Sequence, residues 1–193
     1  MYKKICKIVI AGDGGTGKTT LINSMKTNCF SYASKITIGV DFACFPVQIN
    51  SSPDQEITFL IYDLGGQKRF HFMHSSYIIG SKAAIILYDL NRPKTFENLE
   101  YWITILQKEN PYMPILIGGA KKDLTQPTDI KYYRKKWQIL FQQIKKSQYI
   151  IDHIVISSKT REGIENIFQK IGQAVLQPEI VLKQHNYAKF KNN

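Results

Sequence analysis

The chain has 193 residues, 44% of them hydrophobic and 21% charged, with a formal net charge of +11 and a pI near 9.5. That length suits one domain with a substantial core, and the composition excludes a disordered or fibrous chain. Three scattered cysteines, Cys6, Cys29 and Cys44, argue against a disulfide scaffold or a zinc cluster, and no apolar run approaches the roughly 20 residues that span a bilayer.

In chain order, Ile5, Cys6, Ile8, Val9 and Ile10 predict a buried strand. Gly12, Asp13, Gly14, Gly15, Thr16, Gly17, Lys18, Thr19 and Thr20 follow, a G-x-x-x-x-G-K-[ST] phosphate-binding pattern. Its residue types dictate its chemistry. Glycines let backbone N–H groups turn inward around phosphate oxygens, the helix that follows aims its positive end at them, Lys18 neutralises charge, and the Thr19 hydroxyl can ligate Mg²⁺. Thr19 to Met25 reads as that helix, and a polar connection runs on through Lys35. Phe42 to Ile49 and Ile57 to Tyr62 are strand-like around a turn at Asn50 to Asp54, and Pro46, which cannot donate to a ladder, puts the first of them at a sheet edge.

Ala83 to Asp89, Ile115 to Ala120 and Ile150 to Ile156 are apolar runs of the kind found in strands covered on both faces. Between and after them come helical stripes: Phe96, Leu99, Ile103, Leu106; Tyr133, Trp137, Leu140, Phe141, Ile144; and Ile164, Ile167, Phe168, Ile171, Val175. The alternation predicts an α/β fold with a doubly wound, mostly parallel six-stranded sheet, one antiparallel edge strand and helices on both faces. Ligand then binds at the carboxyl ends of the strands, where the glycine loop sits. The division expected is a domain over residues 1–177 and a polar, basic tail over 178–193.

Two further segments are Ile36-Thr37-Ile38-Gly39-Val40-Asp41-Phe42 and Tyr62-Asp63-Leu64-Gly65-Gly66-Gln67-Lys68-Arg69-Phe70. With the glycine loop, Ser76-Tyr77, the run Ile85 to Asp89 and Thr95 to Leu99 ahead of Trp102, they resemble the Ras superfamily of small GTPases, and its Rab-like branch most closely, from about residue 5 to residue 175. The resemblance implies a small GTPase switch that binds GTP or GDP with Mg²⁺ and hydrolyses GTP slowly. By it Thr19, Thr37 and Asp63 serve the metal, the Gly66 N–H senses the γ-phosphate, Gln67 orients the attacking water, and Lys18 and Thr37 complete the reacting site. Loss of the γ-phosphate releases both segments. Leu64-Gly65 and Lys68 depart from the Rab-like pattern, whereas Gly14 leaves the water unobstructed and favours real hydrolysis.

Ala120-Lys121-Lys122-Asp123 stands where the family has N/T-K-x-D, and Ser157-Ser158-Lys159 resembles its S-A-K loop. An Asp123 carboxylate can accept from both N1–H and the 2-amino group of guanine, which adenine does not present together. Lys121 and Lys159 could cover the ring faces and Phe30 stack on the base, with plain core the alternative for Phe30. Ala120 is the main departure. The family's Asn or Thr ties the base loop to the phosphate loop, and its loss, on the order of 1 to 3 kcal/mol, predicts nucleotide binding weaker by about one or two decades.

Other signals are ambiguous. His71 and His74 have metal-ligand spacing but no third ligand, which favours a solvated or partner-facing surface. Phe70, Phe72, Met73 and Tyr77 suit either an effector surface or core packing. The helix of about Ile130 to Lys146 carries Lys131, Arg134, Lys135, Lys136, Lys145 and Lys146 and no acid, so its outer face suits anionic lipid or nucleic acid, or is merely solvated. The expectation is a cytoplasmic monomer, at most peripheral at a membrane and without a recognisable lipid anchor. Its partners would be guanine nucleotide, an effector, an exchange factor and a GTPase-activating protein, with nucleic acid disfavoured. Alternatives are a hydrolysis-poor nucleotide-holding module and, further off, an RNA- or ribosome-associated GTPase.

Overall fold

The computed structural model describes residues 2–27, 37–51, 55–67, 71–144 and 149–177, with the backbone alone for 2, 3, 27 and 71–73. Phe30, Lys68, Arg69, Phe70, Lys145, Lys146 and the tail over 178–193 lie outside the described residues, and so do the side chains of His71, Phe72 and Met73.

The strands are β1 (Tyr2–Ala11), β2 (Val40–Gln48), β3 (Gln55–Leu64), β4 (Ala83–Asp89), β5 (Ile115–Ala120) and β6 (Ile150–Val155). They form one sheet in the order β2-β3-β1-β4-β5-β6. All neighbours are parallel except β2, which runs antiparallel to β3 at the edge. Pro46, opposite Thr58, is tolerated there because β2 pairs on one side only.

The helices are α1 (Lys18–Thr27), α2 (His71–Ile78), α3 (Pro93–Glu97), α4 (Leu99–Glu109), α5 (Pro127–Gln143) and α6 (Ile164–Leu176). Alternation along β1 divides the core. Cys6, Ile8 and Ile10 pack with Leu21 and Ile22 of α1 and Phe168 and Ile171 of α6, while Val9 and Ala11 pack with Ile78, Trp102 and Tyr133 on the opposite face. Every residue of β4 and β5 is buried, as expected of parallel strands covered on both sides.

Two boundaries depart from the sequence reading. The stripe from Phe96 to Leu106 is two helices meeting at Asn98, the first opened by Pro93 in its first turn, where a missing N–H costs nothing. And α5 begins at Pro127, so it does include an acid, Asp129 in its first turn. Because neighbouring strands β3 and β4 flank β1 on opposite sides, the loop after β1 lies at the switch point of the sheet.

Candidate functional site

The loop after β1 folds tightly because glycine is required at its hinge. Gly12 has φ +130, and a Cβ there would lie 2.1 Å from the Leu87 carbonyl oxygen of β4. The chain then wraps back on the Lys18 side chain, whose ammonium donates to the Gly12 and Asp13 carbonyls at 2.8 and 2.9 Å. Lys18 is only 5% exposed. Burial pushes its pKa down to about 8, against the opposing pull of the Asp63 and Asp13 carboxylates. Thr16 is buried and donates to the Asp13 carbonyl at 2.9 Å, Gly15 is exposed, and Gly14, Gly17, Thr19 and Thr20 are half-buried at the mouth.

Asp13 brings its backbone rather than its carboxylate to this loop. Its Oδ2 accepts from Asn98 Nδ2 at 2.6 Å and its Oδ1 from Trp102 Nε1 at 2.8 Å, both from the α3–α4 region. An anion is thereby turned away from the place where phosphates would lie. Sequence reasoning did not find these two anchors, since they are 85 and 89 residues away along the chain.

Three oxygen side chains from separate elements meet beside Lys18. The Thr19 and Thr37 hydroxyls are 2.8 Å apart, Thr19 donates to Asp63 Oδ2, and Thr37 lies 3.4 Å from the same oxygen. Asp63 is 1% exposed, and burial raises its carboxyl pKa in spite of the hydrogen bond from Thr19 and the charge of Lys18. Its other oxygen, Oδ1, is buried with no hydrogen-bond partner. A hard divalent cation prefers oxygen donors of this kind, and an orphaned carboxylate oxygen is what such an ion satisfies, so the residues fit Mg²⁺.

The segment after β3 presses on the loop. A Cβ on Gly66 would stand 2.3 to 2.4 Å from backbone atoms of Gly12, Asp13 and Gly14, so only glycine fits. Gln67 follows with its Cγ 3.9 Å from where a Gly14 Cβ would be. The Gly65 N–H donates to the Gly39 carbonyl at 2.8 Å, joining this segment to the one that holds Thr37. His74 is not a surface residue, contrary to the sequence expectation. It is 1% exposed on the inner side of α2, with Nε2 3.1 Å from the Gly65 carbonyl and its ring 5.5 Å from that of Trp102. Tyr77 is half-buried, its ring 5.9 Å from Tyr62.

The second half of the site is shallower. Asp123 lies on a single 3₁₀ turn over Lys122–Leu124 after β5 and is exposed, with Oδ1 accepting from the buried Ser157 hydroxyl at 2.6 Å. Lys121 precedes it with φ +66. Ser158 is half-buried, Lys159 exposed, and the Lys122 N–H donates to the Ile156 carbonyl at 2.9 Å, bringing the two loops together. Ala120 is buried in the core and offers no side-chain polar atom.

A glycine loop at the switch point of a doubly wound sheet, with a buried lysine and an oxygen-lined acid beside it, defines a P-loop nucleotide-binding protein. The sequence profile of the Ras family matches residues 7–177. Among relatives, the chain is 34% identical over 148 residues to Ras-related protein RABA1c of Arabidopsis thaliana, covering 74% of this chain and 67% of that one. It is 32% identical over 182 residues to Ras-related protein Rab-7b of Paramecium octaurelia, covering 92% and 84%, and 31% identical over 180 residues to Ras-related protein Rab-34 of Mus musculus, covering 92% and 66%. The chain belongs to the Ras family of small GTPases and is Rab-like, a molecular switch that binds guanine nucleotide and hydrolyses GTP. Among the described residues no helix is long and apolar enough to cross a membrane.

Proposed function

We propose that hydrolysis in this chain is carried by Gln67, Lys18 and Thr37 acting on GTP held by the loop from Gly12 to Thr20. The observation that carries this reading is the meeting of Thr19, Thr37 and Asp63 beside the buried Lys18. Those three residues would hold Mg²⁺, which when bound neutralises charge on the phosphate oxygens. Lys18 keeps its ammonium against the β- and γ-phosphates in a dry setting, where its field is strongest. Gln67, beside the open Gly14, orients the attacking water, and the Gly66 N–H, seated on the loop, senses the γ-phosphate. Thr37 and Gly66 both let go when that group leaves, which relaxes the two segments together through the Gly39–Gly65 bond.

Asp123, pinned by Ser157, selects guanine by accepting from its N1–H and 2-amino group, while Lys121, Ser158, Lys159 and Phe30 line or cover the base. Exposed Ile38 and Phe42, 76% and 62% accessible beside Thr37, supply apolar area for an effector that reads the switched state. Regulation by an exchange factor and a GTPase-activating protein, a cytoplasmic location, a monomeric state, and electrostatic contact of the basic outer face of α5 with anionic membrane complete the reading. Chromatography of the nucleotide released on denaturing the purified protein tests the guanine assignment, and adenine there would sink it. Multiple-turnover phosphate release from GTP should fall about tenfold or more in Gln67→Leu with nucleotide affinity retained. Equal rates would remove Gln67 from the reacting site.

A further inference from the structure

The loss of a tethering side chain at position 120 raises the question of what joins the phosphate loop to the base loop. Strand order narrows the answer. The two loops follow β1 and β5, and β4 lies between those strands, so a direct connection has to cross the end of β4. Asp89 is the last residue of β4 and pairs in register with Ala120. Its side chain is 2% exposed, and a single oxygen, Oδ2, receives two cations: Arg92 Nε at 2.8 Å and Lys121 Nζ at 2.7 Å. Arg92 then donates from Nη2 to the Gly14 carbonyl at 2.9 Å. Its guanidinium covers Gly15, where a Cβ would lie 3.4 Å from Nη2.

The turn between Asp89 and Arg92 is itself held at both ends. Asp89 Oδ1 accepts from the Asn91 N–H at 2.9 Å, and the Arg92 N–H donates to the Asp89 carbonyl at 3.0 Å. Asn91 Nδ2 donates to Thr125 Oγ1 at 3.0 Å, and that hydroxyl donates to the Lys121 carbonyl at 2.9 Å. Burial works to raise the Asp89 carboxyl, yet hydrogen bonds from Lys121, the Asn91 N–H and Arg92 outweigh it and hold the group ionised below the ordinary range. A carboxylate so placed, between two cations from different loops, is a bridge rather than a local ornament of its own strand.

We propose that Arg92 is a positioning residue for nucleotide retention, tying the Gly14 carbonyl of the phosphate loop through Asp89 to Lys121 of the base loop and so taking over the tether that Ala120 lacks. The proposal rests on the guanine-nucleotide reading of the site. Two donors of the guanidinium are committed to protein oxygens in the fork geometry that only arginine has, so lysine cannot make both contacts. The expected consequence is slow nucleotide release without a direct part in the chemistry.

Release of a fluorescent GDP analogue (mant-GDP), measured beside single-turnover GTP hydrolysis and the melting temperature of the nucleotide-free protein, tests it. Arg92 is 44% exposed, so Arg92→Ala is expected to fold with its nucleotide-free melting temperature unchanged. It should release GDP analogue about 5- to 30-fold faster, the discounted worth of charge-assisted hydrogen bonds at a half-open site, with hydrolysis within about twofold of wild type. Arg92→Lys should fall between the two. Asp89→Asn combined with Arg92→Ala should be no faster than the faster single variant, because both cut one bridge. Release within about twofold of wild type in Arg92→Ala would overturn the proposal, and so would slowed hydrolysis with unchanged release, which would make the guanidinium act on the phosphoryl group instead. A wild-type chain that fails to bind the analogue would remove the guanine-nucleotide reading itself and this proposal with it, a result distinct from binding that Arg92→Ala leaves unaltered.

Discussion

Lys18 and Asp63 are 5% and 1% exposed, whereas Asp123 and Lys159, at the other end of the same site, are exposed. The phosphate half is built against the sheet, with its lysine and one threonine from the start of α1, its acid from the end of β3 and its second threonine from the segment before β2. The base half stands on short loops beyond β5 and β6 and is steadied within itself by Ser157 on Asp123 and from β4 by Asp89 on Lys121. On the proposed function the difference follows from what each half would do. Multiply charged phosphate is governed by fields that grow as dielectric falls, so its ligands are buried. A neutral base is recognised along one edge by a few directional hydrogen bonds, which a shallow loop provides so long as it is held still.

The largest test of that contrast is Lys18→Ala. With the ammonium gone from a dry site, affinity for GDP by calorimetry should fall by about two to four decades. A loss under tenfold would mean that the phosphate half is not the anchor. Asp123→Ala should cost less in affinity for phosphate but lower the preference for GTP over ATP by about two decades in competition binding. Retained preference would move base selection off this loop. Ser157→Ala removes the support of Asp123 together with the acceptor of the Thr160 N–H, and the worth of the bond to Asp123, about 1 kcal/mol, predicts release about fivefold faster. Release at the wild-type rate would show that Asp123 holds its place unaided.

The smallest effect lies beneath the base half. His153 on β6 is stacked between Tyr88 and Trp137, at ring distances of 5.8 and 5.2 Å, and its Nε2 is 3.0 Å from the Tyr88 hydroxyl. Burial pushes its pKa down from 6.5 to about 4, a shift that Asp152 opposes and Arg134 reinforces. The unfolded chain therefore takes up a proton that the folded one refuses. Stability should decline as pH falls from about 6.5 to 4, and His153→Phe should flatten that limb of the melting-temperature profile. An identical acid limb in the variant would place the titrating group elsewhere.

Much of this molecule could be read along the chain. Residue type and close spacing were enough for the glycine loop, Lys18, Thr19 and the all-buried β4 and β5, because the chemistry there depends on neighbours a few residues apart. The sheet with its antiparallel edge strand was likewise legible, from the alternation of apolar runs with helical stripes and from Pro46. His74 was misjudged because its spacing from His71 does not say which face of α2 it occupies. The packing of α2 on Trp102 and the contact with the Gly65 carbonyl turn it inward.

What tertiary structure alone decided is the set of contacts that join loops distant in sequence. Arg92 reaches Gly14 across 78 positions, and Asn98 and Trp102 reach Asp13 across 85 and 89. No periodicity encodes such pairs. They exist because the order β1-β4-β5 sets the end of β4 between two loops, so that a four-residue turn there, Asp89 to Arg92, touches both. The sequence by itself carried the phosphate-binding pattern and the residue types such chemistry uses. The strand order decided which contacts join the loop after β1 to the loop after β5.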